Sequence, residues 1–191
     1  MSFIVAVVGM CGSGKSVVSD ILVRRGFQYL RFGQITLDEV KRRGLPPTEE
    51  NERPIREEFR RKHGMGAYAT LNIPRFDELL AKGDVVGDGL YSWSEYKVLK
   101  ERYGDRLVVL CVYAPPKMRY GRLDARVPAK EDVALRHRRI APEEAKARDY
   151  AEIEHIEKGG PIAMANYLIK NEGTKEELGR EVERFLTLLG R

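Results

Sequence analysis

Residues 3–16 read FIVAVVGMCGSGKS, an apolar run that passes directly into a glycine-rich loop. The run from Phe3 to Val8 is mostly β-branched and predicts a buried strand. From Lys15 to Arg25 the apolar residues recur at helical spacing, and Gly26 follows as a C-terminal cap. The loop between them is a complete G-x-x-x-x-G-K-[ST] pattern. This strand–loop–helix context favours a phosphate-binding loop over an ordinary glycine-rich turn.

The loop predicts a cradle for the phosphates of ATP. Its glycines let successive backbone N–H groups turn toward a polyphosphate, and the following helix adds the positive end of its dipole. Lys15 would reach the β- and γ-phosphates, which makes it a binding and a catalytic residue, and Ser16 would ligate Mg²⁺. The predicted cofactor-binding residues of the loop are Gly9, Met10, Cys11, Gly12, Ser13, Gly14, Lys15 and Ser16.

Strands and helices alternate along the rest of the chain. Short apolar runs predict strands at 27–32, 84–88, 107–113 and 167–170, with helical spacing between them. Strands separated by helices of this length imply a parallel sheet covered on both faces. We therefore predict an α/β fold, a three-layer α/β/α arrangement with a five-stranded parallel sheet, as a single domain over residues 1–191.

Helix boundaries are predicted from capping residues. Three S/T-x-x-E capping boxes indicate helices that begin at Thr36, Ser92 and Thr174. Pro74 indicates the start of the last helix of the 49–82 stretch. A basic helical stretch is predicted from Pro116 to about residue 151.

Composition limits the class of protein. The 191 residues are 42% hydrophobic, enough for one buried core, and 34 Lys and Arg against 29 Asp and Glu leave a net charge of +5. A basic balance favours phosphate-bearing partners. No apolar run approaches the roughly 18 residues of a membrane span, and the N-terminus lacks the features of a signal peptide. We expect a cytoplasmic protein without a membrane partner, either a monomer or a homodimer.

The third predicted strand helps to choose among nucleotide-binding proteins. Residues 84–87 match the D-x-x-G of GTPases, but their Asp opens the strand, and no guanine-reading N-K-x-D or T-K-x-D occurs. Asp88 closes the strand, where ligands of open α/β sheets gather. We predict that Asp88 orders Mg²⁺ or accepts a hydrogen bond from substrate. A turn residue before Gly89 is the alternative interpretation.

Arginines form two basic helix faces. Arg119, Arg122 and Arg126 are spaced by three and four and share one face, and Arg136, Arg138, Arg139 and Arg148 follow. An earlier stripe consists of Arg53, Arg56, Arg60 and His63, although neighbouring glutamates permit pairing within that helix. Two basic faces beside one phosphate-binding loop suggest two phosphate-bearing ligands, an acceptor on the earlier face and a donor on the later one. Solvated charged surfaces are the alternative.

Taken in order, these motifs resemble those of P-loop nucleoside monophosphate kinases, in particular the adenylate-kinase-related, dephospho-CoA-kinase-like proteins known chiefly from archaea. The resemblance covers nearly the whole chain and rests on Gly12-Ser13-Gly14-Lys15-Ser16, Arg31-Phe32-Gly33-Gln34, Val86-Gly87-Asp88-Gly89-Leu90-Tyr91-Ser92, Tyr113-Ala114-Pro115-Pro116 with Arg119 and Arg122-Leu123, Arg148-Asp149, and Asn171-Glu172-Gly173-Thr174.

The resemblance implies an acceptor-binding segment over about 31–82 and a lid over about 117–150 that closes on ATP. It implies that Asn171 and Gly173 lie where adenine packs, and that Arg31, Gly33 and Gly89 contact the acceptor, together with Arg56 and Arg60 of the basic stripe.

The chain departs from dephospho-CoA kinases after the second strand. Those enzymes carry an Asp-x-Asp there, whose carboxylate can take the proton of a hydroxyl acceptor. Residues 31–34 contain no acid, and the next is Asp38. A phosphate acceptor needs no base because it is already largely ionised near neutral pH. The loop also differs from the Gly-x-Pro-Gly-x-Gly-Lys-Gly of adenylate kinases, so AMP specificity is not implied.

The resulting hypothesis is an ATP- and Mg²⁺-dependent phosphotransferase that acts on a nucleoside monophosphate. Lys15 and Asp88 would act at the reacting phosphates, and Arg122, Arg126 and Arg148 would neutralise the transferring group. Two alternatives stay open: dephospho-CoA-kinase-like transfer to a hydroxyl, and a nucleotide-binding regulator or RNA-associated ATPase. Few aromatic residues interleave the basic ones between Lys117 and Arg139, so we expect no nucleic-acid partner.

Overall fold

A computed structural model describes residues 2–127 and 139–191. Its centre is a five-stranded sheet in the order β2-β3-β1-β4-β5, and every neighbouring pair is parallel. The strands are β1 (Ile4–Val8), β2 (Gln28–Arg31), β3 (Val85–Asp88), β4 (Leu107–Tyr113) and β5 (Tyr167–Lys170). All five coincide with predicted strands to within one or two residues, so the predicted α/β sheet is confirmed.

Helices cover both faces of the sheet. Alternate residues of β1 point to opposite faces: Ile4 packs in one buried cluster with Phe76 and Leu99, whereas Val5 packs in another with Val182. The three-layer arrangement is therefore also confirmed. The helices are α1 (Lys15–Arg24), α2 (Gln34–Arg42), α3 (Glu49–His63), α4 (Ala67–Leu80), α5 (Trp93–Tyr103), α6 (Pro116–Asp124), α7 (Pro142–Ile156), α8 (Gly159–Ala163) and α9 (Lys175–Leu188), with a 3₁₀ turn at Gly104–Arg106.

Two of the three predicted capping boxes form. Ser92 caps α5 and Thr174 caps α9, each with both reciprocal hydrogen bonds. The prediction at Thr36 is wrong because α2 already begins at Gln34. Thr36 is buried inside that helix, where its hydroxyl lies 2.6 Å from the hydroxyl of Tyr68.

Pro74 does not begin a helix, so that prediction is also wrong. It lies inside α4, which begins at Ala67, and the break from α3 falls at Gly64, whose φ of 74° lies in the left-handed region. The basic stretch after Pro116 is divided between α6 and α7, and the segment between them includes Arg136 and Arg138, which lie outside the described residues. Within the described ranges, no helix has the length and apolarity needed to cross a membrane.

Candidate functional site

The loop between β1 and α1 is anchored through its carbonyl groups. Lys15 Nζ donates to the carbonyl of Met10 at 3.0 Å, and Arg119 Nη1 donates to that of Cys11 at 3.0 Å. Asn171 Nδ2 donates to the carbonyl of Ser13 at 2.7 Å. With these carbonyls engaged, the loop can present its amides to an anion at the N-terminus of α1.

Gly14 shows why the loop needs glycine. Its φ is 104°, and a Cβ built there would lie 2.2 Å from Asn171 Nδ2. A larger residue would therefore be strained and would also displace the amide that holds Ser13. The close approach of Asn171 to the backbone explains why the motif has glycine at position 14.

A cavity above the loop, which we call the loop cavity, collects four cationic side chains and one carboxylate. Lys15, Arg31, Arg126 and Arg148 line it together with Asp88. Its remaining lining residues are Cys11, Gly12, Gly14, Ser16, Tyr91 and Ile140. This excess of positive charge suits a polyphosphate. Of the predicted catalytic residues, Lys15, Asp88, Arg126 and Arg148 are thus brought together.

Burial changes the acid–base properties of Lys15. Loss of solvent, and secondarily the nearby charge of Lys158, lowers the pKa of Lys15 to about 8. A bound phosphate would oppose both effects, since a nearby anion favours the charged amine. The loop cavity therefore holds cations that an anionic ligand would stabilise.

Ser16 and Asp88 are oxygen donors suited to Mg²⁺. Both line the loop cavity, and Asp88 Oδ2 accepts a hydrogen bond from the Tyr29 hydroxyl at 2.9 Å. Among the described residues no group of three or more His, Cys, Asp or Glu side chains could hold a metal. Two protein oxygens fit an ion whose remaining ligands are phosphates and water, as is usual for Mg²⁺ at nucleotide sites.

A second cavity, the side cavity, adjoins the loop cavity. All five predicted acceptor-binding residues line it: Arg31, Gly33, Arg56, Arg60 and Gly89. Its other lining residues are Phe32, Thr36, Leu37, Glu52, Met65, Tyr68, Tyr91, Ser92, Glu95 and Ile156. The cavity thus combines cations with apolar surface, although a binding role for these residues stays a prediction.

The predicted basic stripe of α3 divides in the structure. Arg56 lines the side cavity and pairs with Glu49 and Glu52, and the guanidinium of Arg60 lies 5.8 Å from the ring centre of Tyr68. Arg53 is exposed and pairs with Glu57. His63, like Arg53, is not among the lining residues. Only the middle of the stripe therefore faces a ligand-sized space.

Two residues connect the cavities. Arg31 at the end of β2 and Tyr91 after β3 line both of them. A group passing from a ligand in one cavity to a ligand in the other would pass between these side chains.

Several predicted residues lie elsewhere. Arg122 Nη1 donates to the carbonyl of Asn171 at 2.9 Å and does not line the loop cavity, so its contact with a transferring group stays a prediction. Asn171 and Gly173 line an open groove beside α9, separate from the loop cavity. Residues Gly9, Met10 and Ser13 line a cavity behind the loop.

Arg119 has a structural partner that the run of basic residues in the sequence does not indicate. It is buried, and its guanidinium pairs with Asp149 of α7 at 2.6 Å while also holding the Cys11 carbonyl. Arg139 is similarly paired with Asp124. The basic cluster predicted for the donor is therefore partly a set of internal ion pairs.

The side cavity contains a buried carboxyl that the sequence does not indicate as a site residue. Glu95 was predicted only as a cap, and its Oε2 accepts hydrogen bonds from the backbone of Tyr91 and Ser92. Burial raises the pKa of Glu95 to about 7 despite these bonds. Glu95 is both the capping residue of α5 and a lining residue of the side cavity. The sequence pattern indicates the cap, and no further pattern indicates the position in the cavity.

A buried ion pair beside Tyr91 was also missed. Lys158 is only 2% exposed, pairs with Glu152 of α7, and lies 4.5 Å from the ring centre of Tyr91. The i, i+4 spacing of Arg148 and Glu152 is visible in the sequence, but nothing there indicates where Lys158 points.

The sequence is similar to those of known proteins over most of its length. Residues 5–151 match the family model AAA_18, described as an AAA domain. A UPF0200 protein of Thermococcus onnurineus is 33% identical over 185 residues, which is 96% of each chain. A UPF0200 protein of Aeropyrum pernix is 37% identical over 182 residues, covering 95% of this chain and 90% of the relative.

Several solved structures with a similar fold are named as small-molecule kinases. A shikimate kinase from Bacteroides thetaiotaomicron aligns with a TM-score of 0.59 and 13% identity over 99% of both chains. A sugar kinase from Janibacter sp. aligns with a TM-score of 0.57 and 18% identity over 100% of this chain and 95% of the other. At such identities the likeness concerns the fold alone, and it agrees with the predicted α/β fold.

Proposed function

Because the chain belongs to the AAA_18 family, together with the UPF0200 proteins of archaea, we propose that it is an ATP-dependent phosphotransferase that acts on a nucleoside monophosphate. The observation that carries the proposal is the meeting of two cavities at Arg31 and Tyr91, one above a phosphate-binding loop and one lined by further arginines. This is the arrangement that transfer between two bound ligands requires.

The loop cavity is the proposed donor site. The loop amides and Lys15 would hold the β- and γ-phosphates of ATP, and Ser16 and Asp88 would hold Mg²⁺. When bound, the metal would neutralise phosphate charge and orient the γ-phosphoryl group. Arg126 and Arg148 would neutralise the remaining charge, a contribution that reaches about 10³- to 10⁵-fold in rate for an arginine finger. Arg122 is left out of this set because it contacts Asn171.

The side cavity is the proposed acceptor site. Arg31, Arg56 and Arg60 could neutralise a phosphate monoester, while the apolar side chains of Leu37 and Met65 offer surface for a base. Glu49 and Glu52 partly neutralise Arg56, which leaves Arg31 and Arg60 as the principal anion contacts. The segment of about 31–82 would therefore bind the acceptor within a single domain, and the segment of about 117–150 would act as the lid.

Transfer to a hydroxyl is the second candidate function. Glu95 places a carboxyl in the side cavity with a pKa of about 7, which suits a general base near neutral pH. The absence of acids at residues 31–34 therefore does not remove every base from the acceptor site. The solved kinases of similar fold include ones named for shikimate and gluconate, both of which carry hydroxyl groups.

An acceptor panel tests the proposal. The protein is incubated with ATP, Mg²⁺ and single nucleoside monophosphates, dephospho-CoA, shikimate or gluconate, and ADP is measured. We expect ADP to depend on a monophosphate, with Lys15→Ala inactive but folded. Activity only with a hydroxyl acceptor would replace the first candidate by the second. ADP formation independent of every acceptor, or stimulated only by RNA, would contradict both and favour an ATPase.

A further inference from the structure

A continuous chain of contacts links the two proposed sites. Arg148 Nε donates to Glu152 Oε1 at 2.9 Å, and Glu152 Oε2 pairs with Lys158 Nζ. Lys158 Nζ in turn lies 4.5 Å from the ring centre of Tyr91. Arg148 lines the loop cavity and Tyr91 lines both cavities, so the Glu152–Lys158 pair joins a donor-side residue to the junction.

The contact between Glu152 and Arg148 favours one use of the arginine. Glu152 takes Nε, and no other hydrogen bond of Arg148 is found among the described residues, so its two terminal nitrogens can act as a fork. Such a fork matches two oxygens of one phosphate group. The other oxygen of Glu152 is used by Lys158, so the carboxylate cannot turn toward the loop cavity without losing a partner.

Lys158 is placed by the turn that ends α7. Glu157, directly before it, has a φ of 53° and is the one non-glycine residue in the described ranges with a positive φ. This turn closes the C-terminal end of α7, where the amide of Lys158 donates to the carbonyl of Glu152 at 3.1 Å. A left-handed residue followed by an amide that bonds six residues back is a common way for an α-helix to end, so this turn fixes where α7 stops and where Lys158 begins.

Burial of the pair adds a second cost. The side chains of Lys158 and Glu152 are 3% and 14% exposed, and the desolvation of two charges commonly cancels their attraction. Replacement of such a buried pair by apolar side chains of similar volume is often neutral or stabilising. The contribution of the pair to the stability of the fold is therefore expected to be small. Its contacts with Arg148 and Tyr91 suggest another role.

We propose that Glu152 and Lys158 are positioning residues that fix Arg148 and the Tyr91 ring relative to each other at the junction of the two cavities. Arg148 would then be oriented toward the transferring phosphoryl group. The Tyr91 ring, which lines the acceptor site, would be held at a fixed distance from Arg148. The inference rests on the proposed phosphotransferase function and extends it to residues that contact neither ligand.

Substitution of Lys158 by Met tests the proposal, since Met keeps the length of the side chain and suits a buried site. We expect kcat to fall about tenfold or more and KM for ATP to rise, because Arg148 is no longer held toward the phosphates. Lys158→Arg, which can pair with Glu152 and stack on Tyr91, should restore kcat to within about threefold of the wild type. Lys97→Met is the matched control, because Lys97 lies 5.9 Å from the ring of Trp93 outside both cavities.

A double-mutant cycle separates positioning from folding. Tyr91→Leu and Lys158→Met should be non-additive in kcat, because each breaks the same linkage. The thermal midpoint of Lys158→Met should stay close to that of the wild type. Unchanged kcat per folded molecule in Lys158→Met, additive effects with Tyr91→Leu, or failure of Lys158→Arg to restore kcat would each overturn the proposal.

Binding measurements keep this test separate from the proposed function. If the wild-type protein forms ADP with no acceptor, the proposed transfer fails, and calorimetry with Mg²⁺ and the β,γ-imido analogue of ATP still tests the linkage. Equal weakening of analogue affinity by Lys158→Met and Arg148→Ala would support the positioning role. Weakening by Arg148→Ala alone, or by neither variant, would overturn it.

Discussion

Arg31 offers the sharpest test of the two-cavity site. It ends β2 and lines both cavities, so Arg31→Met removes one guanidinium from the point where donor and acceptor meet while keeping an apolar stem in place. Two charge-assisted hydrogen bonds to phosphate contribute about 1.5–3 kcal/mol each, or about 3–6 kcal/mol together. Because Arg31 is only half-buried, we expect the lower end, a loss of about 10² to 10³ in kcat/KM.

The assay is ADP formation with the monophosphate that the panel identifies. Arg31→Lys keeps the charge but loses the fork, so its kcat/KM should fall between those of Arg31→Met and the wild type. Arg53→Met is the control, since Arg53 is exposed, pairs only with Glu57 among the described residues and lines neither cavity. Retention of kcat/KM within threefold in Arg31→Met would refute the assignment of the junction.

Three further predictions concern the loop and the side cavity. Gly14→Ala should abolish ATP binding measured by calorimetry, because its Cβ would meet Asn171 Nδ2; normal affinity would contradict the described loop. The pKa of Glu95 is raised to about 7 in the folded protein, so the free energy of unfolding should fall as pH rises from about 4.5 to 7, by up to about 3 kcal/mol. Denaturant titrations should show this dependence in the wild type and not in Glu95→Gln; an identical dependence in both would be contrary to it. Asp149→Asn leaves the buried Arg119 guanidinium without its counter-charge and should cost about 3–5 kcal/mol in denaturant unfolding, and a loss below 1 kcal/mol would show that the pair is dispensable.

Local signals in the sequence predict most of the fold. The strand, glycine loop and helix of residues 3–25 are specified by neighbours in the chain, as is the Ser92 cap, whose partner is three residues away. Thr36 carries the same cap pattern, but its hydroxyl lies against that of Tyr68, 32 residues later, and α2 begins two residues earlier. A local pattern fails there because a tertiary contact competes for the same group.

The candidate site is predicted less completely for the same reason. Lys15 and Ser16 belong to a contiguous motif, and Arg148 belongs to a cluster of arginines that the sequence shows. The contact of Lys158 with Tyr91, by contrast, joins residues 67 positions apart in the chain. The spacing of Arg119 predicted a phosphate contact, whereas its partner, Asp149, lies on another helix. Charge runs indicate where ligands or ion pairs can form, and only tertiary packing decides between them.

The central claim is the direct passage of a phosphoryl group between the two cavities. It is tested most directly by incubating the protein with Mg²⁺, ATP labelled at the γ-phosphate and each nucleoside monophosphate, and then identifying the labelled product. We predict label on a nucleoside diphosphate, with none formed by Lys15→Ala. Label that appears only as inorganic phosphate, in equal amount with and without a monophosphate, would contradict the account.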